Sequence, residues 1–272
     1  MKKRFLAVAV AGLMAISLAG CGGGSNSGSS EADKTTAAAA DSSKADASKT
    51  EASAGGKKIN VIAKGFQHQF WKAVEKGAMQ AGTELGAEVT FQGPDNESAI
   101  AQQIEYLDAA IAQKPAAICF AALDTQASLG SIQTAMDAGI PIIGFDSGVP
   151  DAPAGAIKAN ASTNNLEAGK LAADETYKLI KDKIDGASGT VRIGVVAQES
   201  NSQSIVERTK GFVEEMKKNI GEDKVSVEGH DSLKAEKSGA PVVIDVGIPA
   251  EVKDADAAAV ASAILEKSDL IA

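Results

Sequence analysis

Residues 116–146 read AAICFAALDTQASLGSIQTAMDAGIPIIGFD, in which two short apolar runs flank a stretch with helical spacing. The runs 116–120 and 140–145 are typical of strands that are buried on both faces of a sheet. Pro115 and Pro141 stand at the strand starts, where a missing backbone N–H is tolerated. A helix between two such strands predicts a parallel pair joined by a crossover.

The same alternation extends outward from this segment in both directions. Strands are predicted at 58–63, 87–91, 116–120, 140–145, 191–197 and 242–246, and helices at 70–85, 97–113, 126–138, 166–184, 204–219 and 255–267. This order predicts an α/β fold of two Rossmann-like parallel-sheet lobes. We place the N-terminal lobe at 57–149, an inter-lobe crossover at 150–165 and the C-terminal lobe at 166–272. Residues 222–240 fit the pattern weakly and are expected to form a surface insertion.

Composition and charge exclude several classes of protein. The 272 residues carry a net charge of −9, and no basic stripe follows the first four positions. Nucleic-acid binding needs clustered Lys and Arg, so it is disfavoured. Two cysteines are too few for a disulfide scaffold, and the two cysteines and two histidines lack the close spacing of zinc ligands. The sequence has no nucleophile elbow, P-loop or dinucleotide glycine motif, so we expect no enzyme, no cofactor and no metal.

The first 56 residues predict a secreted protein that is anchored to a membrane. Residues 1–20 hold basic residues, an apolar run and then small residues, which is the order found in signal peptides. Leu18-Ala19-Gly20-Cys21 resembles the lipobox of bacterial lipoproteins, which implies cleavage before Cys21 and a lipid on its thiol. A plain secretory signal with an incidental cysteine is the alternative. Residues 21–56 contain no Val, Ile, Leu or aromatic side chain, and so predict a flexible tether.

Polar and aromatic side chains gather where the predicted strands end. Ligands of open parallel sheets bind beyond the carboxyl ends of the strands. The segments at those ends are 64–71, 146–148 and 198–202, with Arg208 in the helix that follows the last of them. Carboxylate and guanidinium groups bind pairs of hydroxyls, and aromatic faces stack on the C–H faces of a sugar ring. The segments therefore favour a polyhydroxylated ligand.

Four motifs carry a resemblance to a known family, namely HQFW at 68–71 with Gly77, IPIIGFD at 140–146, NN at 164–165 with Gly169, and ERTKGF at 207–212. In order and spacing they resemble the type I solute-binding lipoproteins of bacterial ABC importers, the ribose- and galactose-binding protein group. The resemblance implies capture of a small polar solute, such as a monosaccharide, in a cleft between two lobes for delivery to an ABC permease. It also implies a monomer held outside the cytoplasmic membrane, on the periplasmic or cell-surface side, by a lipid at Cys21.

The resemblance assigns ligand contacts in the first lobe and near the crossover. Phe70 and Trp71 are expected to stack on the ligand, and His68 takes a position that often carries a polar contact. Trp71 has a second interpretation as an ordinary core residue at the start of a helix. Thr163 and Asn165 are expected to lie near the crossover between the lobes.

Two further contacts are expected from charged side chains. By the resemblance, Asp146 accepts hydrogen bonds from ligand hydroxyls, and Arg208 reaches the ligand from the second lobe. Asp146 has the alternative of closing a turn before a glycine. Arg208 has the alternative of pairing with Glu207 or Glu215 on a solvated helix face.

Two related functions share this fold. A sensory lipoprotein that presents its ligand to a sensor kinase is the alternative function. The effector domain of a sugar-responsive repressor is disfavoured, because a signal peptide is predicted where such a repressor has a helix-turn-helix.

The resemblance stops at 268–272, where family members begin a further strand. We therefore expect an incomplete second lobe and weaker ligand binding than in an intact relative.

Overall fold

The computed structural model describes residues 56–66 and 68–272. The predicted signal peptide, the lipidation site Cys21 and the tether up to residue 55 lie outside the described residues. The prediction of an α/β fold with two parallel sheets is confirmed. None of the helices in the described ranges has the length and apolar character needed to span a membrane.

Five parallel strands form the sheet of the first lobe, in the order β2-β1-β3-β4-β5. The strands are β1 Lys58–Ile62, β2 Glu88–Gln92, β3 Ala117–Phe120, β4 Ile142–Phe145 and β5 Ile157–Ala161, and the helices are α1 Gln69–Leu85, α2 Ile100–Ala112 and α3 Leu129–Asp137. Ile62, Phe120 and Ile142 from the strands pack with Leu107 of α2 and Ile132 of α3 in one apolar core. This packing holds the carboxyl ends of β1, β3 and β4 side by side.

Three parallel strands form the sheet of the second lobe, in the order β6-β8-β7. The strands are β6 Val191–Val196, β7 Val225–Glu228 and β8 Val242–Gly247, the helices are α4 Asn165–Asp185, α5 Gln203–Ile220 and α6 Asp254–Leu265, and a 3₁₀ turn spans Glu222–Lys224. Ile193, Val227 and Ile244 of the strands pack with Ala173 of α4 and Met216 of α5. The second lobe thus has an apolar core of its own.

The backbones of helices α4 and α5 are in direct contact at two glycines. A Cβ atom on Gly169 of α4 would lie 2.1 Å from the carbonyl oxygen of Arg208. A Cβ atom on Gly211 of α5 would lie 2.2 Å from the carbonyl oxygen of Leu166. Only glycine fits at these two positions, so the close contact fixes where α5 carries Arg208.

Two strands lie where the sequence predicted other structure. Strand β5, with the sequence IKANA, lies inside the segment 150–165 that was assigned to the inter-lobe crossover. It is an edge strand with one half-buried residue, and it therefore lacks the apolar run by which a strand is recognised. Strand β7 lies inside the predicted surface insertion, 222–240, yet Val225 and Val227 are fully buried. The prediction of a surface insertion is wrong at β7, because this short strand completes the core of the second lobe.

Candidate ligand-binding site

A cleft of about 930 Å³ opens between the carboxyl ends of the two sheets. The loops that follow β1, β2 and β4 form the wall on the side of the first lobe, and the segments after β6 and β8, together with α5, form the opposite wall. Lys64, Phe70 and Asp146 face the cleft from the first lobe, and Gln198 and Arg208 face it from the second. Side chains that are far apart in the sequence thus share one space.

Asp146 is held at the cleft by unusual backbone geometry. It directly follows β4, and its φ of 55° lies in the left-handed region, which non-glycine residues rarely adopt and which Asp tolerates better than most. Its backbone N–H donates to the carbonyl oxygen of Ala161 at the end of β5, 3.0 Å away. The edge strand that the sequence analysis missed therefore helps to hold the carboxylate in place.

The pKa of Asp146 is raised above its ordinary value. Burial is the main cause, because it disfavours the charged form, and the nearby carboxylate of Glu97 acts in the same direction. The positive charges of Lys64 and Arg208 partly oppose the rise. A carboxylate in this setting can gain from hydroxyl donors, because they replace the water that burial removes.

Two neighbouring aromatic residues have different environments. Phe70 is 48% exposed and lies in the cleft wall, with its ring edge-on to Trp71 at a centroid distance of 4.8 Å. Trp71 is only 2% exposed and packs against Ala63 and Ala121, and its indole Nε1 donates to Glu97 Oε1 at 2.8 Å. Phe70 is therefore placed to stack on a ligand. Trp71 is buried, in line with its alternative interpretation as a core residue, although one edge of its ring still belongs to the cleft wall. Phe66, which sequence reasoning did not single out, is another exposed ring in this wall.

His68 caps helix α1 and also lies in the cleft wall. Its Nδ1 accepts a hydrogen bond from the backbone N–H of Phe70 at 3.2 Å, as an N-cap side chain does. The capping bond orients the ring at the start of α1. The structure therefore gives His68 a structural role beside the predicted ligand contact.

Arg208 is positioned by Asn165, which is itself held by the backbone of Thr163. One of its guanidinium nitrogens, Nη2, donates to Asn165 Oδ1 at 2.6 Å, and Asn165 Nδ2 donates to the carbonyl oxygen of Thr163 at 3.1 Å. Neither Asn165 nor Thr163 belongs to the described cleft lining, so both lie behind Arg208. Glu207 and Glu215, the alternative partners of Arg208, have other contacts. Glu207 accepts a hydrogen bond from Gln203, and Glu215 pairs with Lys218.

Sequence reasoning missed Lys64, the most buried charged side chain of the cleft. It is 3% exposed, and its Nζ lies 3.3 Å from Ser202 Oγ, 3.5 Å from Glu97 Oε2 and 3.8 Å from Asp146 Oδ2. A buried ammonium group needs such partners, because an unpaired charge is strongly disfavoured in the interior. The available signal was its place two residues after the end of β1.

The two lobes also contact each other directly. Gln198 Nε2 donates to Glu97 Oε2 at 2.8 Å, and the backbone N–H of Val252 donates to Ser98 Oγ at 2.7 Å. Neither Glu97 nor Ser98 was singled out from the sequence.

In the described ranges no group of three or more His, Cys, Asp or Glu side chains could hold a metal ion. The cleft offers hydrogen-bonding groups and aromatic surface, which suit reversible binding of a polar molecule.

Comparison with known proteins places the fold and the cleft in a family. The model of the periplasmic binding protein domain matches residues 59–269. A Brachyspira murdochii structure, described as an ABC transporter of the LacI transcriptional-regulator family, is 32% identical with a TM-score of 0.60, and the match covers 77% of this chain and 62% of that one.

Two further structures contain bound sugars. An Agrobacterium vitis ABC transporter solute-binding protein with bound D-fucose is 31% identical with a TM-score of 0.54, covering 60% of this chain and 54% of that one. A carbohydrate transporter solute-binding protein from Agrobacterium radiobacter, in complex with D-arabinose, is 25% identical with a TM-score of 0.63, covering 79% and 65%. This chain thus spans less than two thirds of the length of each of these three structures. With most of its residues matched by the domain model, it belongs to the periplasmic binding protein domain family.

Proposed function

We propose that this protein captures a small polar solute, a monosaccharide or a related polyol, in the cleft between its lobes for uptake by an ABC importer. One observation carries the proposal. Asp146 of the first lobe and Arg208 of the second line the same cleft, with the exposed ring of Phe70 beside them. The similarity to solute-binding proteins with bound D-fucose and D-arabinose supports this ligand class.

Each side chain has a distinct part in the proposed binding. The Asp146 carboxylate accepts hydrogen bonds from two ligand hydroxyls, and the Arg208 guanidinium donates to hydroxyl oxygens on the other side of the ligand. Phe70 covers an apolar C–H face of the sugar ring. Because the contacts come from both lobes, the bound ligand favours the closed arrangement over an open one.

The cellular setting is part of the same proposal. Family membership supports a location outside the cytoplasm. Cys21 is the proposed lipidation site, and an ABC permease is the proposed membrane partner of the monomeric protein. A sensory lipoprotein with the same ligand is distinguished from an importer component by uptake. Deletion of the gene is expected to reduce uptake of the labelled sugar, whereas a sensor would leave uptake unchanged and alter a transcriptional response.

Thermal shift with a panel of sugars tests the proposed ligand class. D-arabinose, D-fucose, D-ribose and D-galactose are the neutral probes, and D-glucuronate and D-glucose 6-phosphate are the charged ones. At least one neutral sugar is expected to raise the melting temperature, because a ligand that binds only the folded state stabilises it. The shift should shrink in Arg208→Gln and persist in Lys210→Gln, whose exposed side chain pairs with Glu214 on the same helix. A shift with the charged sugars alone would contradict the proposal.

A further inference from the structure

Glu97 joins the two lobes through its two carboxylate oxygens. Oε1 accepts from the indole Nε1 of Trp71 at 2.8 Å, within the first lobe. Oε2 accepts from Gln198 Nε2 at 2.8 Å, across the cleft, and lies 3.5 Å from Lys64 Nζ. A single carboxylate thus links a core residue of one lobe to a loop of the other.

The loop that carries Glu97 makes a second contact with the opposite lobe. Ser98 Oγ accepts from the backbone N–H of Val252 at 2.7 Å. The loop is itself ordered by a local bond, because Asn96 Oδ1 accepts from the backbone N–H of Ser98 at 2.9 Å. Residues 96–98, which we call the clasp loop, therefore contact both the segment after β6 and the segment after β8.

We infer that the clasp loop holds the lobes closed, and that Glu97 is a positioning residue that couples closure to the environment of Trp71. This inference rests on the proposed function, since it concerns the closure that accompanies solute binding. The Gln198–Glu97 and Val252–Ser98 bonds exist only when the lobes are together, so they favour the closed arrangement. Apparent ligand affinity scales with the closed fraction, so loss of the clasp weakens binding by lowering that fraction.

Trp71 provides a direct reporter of closure. It is the only tryptophan among the 272 residues, it is 2% exposed, and it lines the cleft beside Glu97. Separation of the lobes uncovers the cleft-facing edge of the indole. Quenching of tryptophan fluorescence by acrylamide then measures opening with no sugar present.

The test uses Gln198→Ala, which removes the second-lobe partner and leaves the Trp71–Glu97 bond in place. Gln198→Glu is the stronger variant, because it sets two carboxylates against each other. Gln133→Ala is the matched control, since Gln133 Nε2 donates to Asp137 Oδ1 at the same 2.8 Å but within one exposed helix. We expect more acrylamide quenching in both Gln198 variants than in the control, in the order Glu above Ala.

Binding and rescue complete the experiment. Gln198→Ala should bind the best neutral monosaccharide of the panel about tenfold more weakly, the size expected for one lost hydrogen bond to a charged group. The double variant Glu97→Gln/Gln198→Glu exchanges donor and acceptor across the same gap and should restore both quenching and affinity towards the parent values. A merely structural role for either residue would not give this reciprocal rescue.

The outcomes separate this inference from the proposed function. Quenching in Gln198→Glu equal to that in Gln133→Ala, or a double variant as open as Gln198→Glu alone, would overturn the clasp. If the parent protein binds no sugar of the panel, the proposed function fails instead, and the sugar-free quenching comparison still decides whether the clasp exists.

Discussion

Asp146 combines a left-handed backbone, partial burial and a position at the cleft, and this combination has a consequence for stability. Its carboxyl is protonated more readily in the folded state than in the unfolded chain, because its pKa is raised in the folded protein, chiefly by burial. As pH rises from its ordinary pKa of 3.8 through the raised value, the folded protein holds on to a proton that the unfolded chain has released. Ionised Asp146 therefore lowers the free energy of unfolding over that interval and above it.

Asp146→Asn should remove this pH dependence. Asn has a similar shape and also tolerates the left-handed region, so the substitution changes mainly the charge. Relative to the parent protein, the free energy of unfolding of Asp146→Asn should increase as pH rises above 3.8 and level off once Asp146 is also ionised in the folded protein. Urea unfolding at a series of pH values measures it. A difference that stays constant with pH, or that decreases as pH rises, would contradict the raised pKa.

A residue of the candidate site was predictable from sequence only where its position relative to a strand end decides whether it reaches the cleft. Asp146, Phe70 and Arg208 reach the cleft because they follow strand ends or lie in the first two turns of the next helix. Trp71 lies beside Phe70 in the sequence but is turned into the core, which depends on packing that no local pattern encodes. The Gln198–Glu97 bond joins residues 101 positions apart, so neither partner carries a local signal of the other.

Among the structural elements, helices α4 and α5 depend on glycine in a way that a single substitution tests. Gly169→Ala would place a methyl group 2.1 Å from the carbonyl oxygen of Arg208, so one helix must shift. We expect a loss of about 1–3 kcal/mol of unfolding free energy, as in other overpacked contacts. Gly77→Ala on α1 is the matched control, because its Cβ meets nothing within 4 Å and alanine favours a helix by about 0.5–1 kcal/mol.

Urea unfolding should give a lower free energy of unfolding for Gly169→Ala than for the parent protein, and a higher one for Gly77→Ala. Gly169→Ala should also weaken sugar binding, because a shift of α5 moves Arg208, whereas Gly77→Ala should leave binding unchanged. Equal stability of Gly169→Ala and the parent protein would show that the close approach of the helices is wrong.

Strand recognition succeeded or failed for a simple physical reason. Strands β1, β3, β4, β6 and β8 were predicted because each consists mainly of apolar residues, as expected for strands within a parallel sheet. Strand β5 lies at a sheet edge and contains Lys158 and Asn160, so its sequence resembles a loop. Strand β7 lies at the edge of the second sheet, contains the polar residues Ser226 and Glu228, and follows directly on a 3₁₀ turn. Edge strands are fixed by their neighbours more than by their own sequence.

At the scale of the whole molecule, the proposed membrane anchor gives a prediction for the cell. Cys21 lies outside the described residues, and its lipidation is inferred from the sequence alone. Cys21→Ala should move the protein from the membrane fraction to the soluble fraction, because several acyl chains anchor stably and none would remain. Cys119→Ala is the control, since Cys119 belongs to β3. Membrane association that persists in Cys21→Ala would exclude the lipobox interpretation.

The proposed function requires that Asp146 and Arg208 together bind one polar solute between the lobes. Calorimetric titration with the neutral sugar that gives the largest thermal shift tests it most directly. We expect one sugar per chain, and a loss of about tenfold in affinity for Asp146→Asn and for Arg208→Gln, because each variant loses hydrogen bonds that involve a charged group. Parent-like affinity in both variants would contradict the account, since the sugar would then bind outside this cleft.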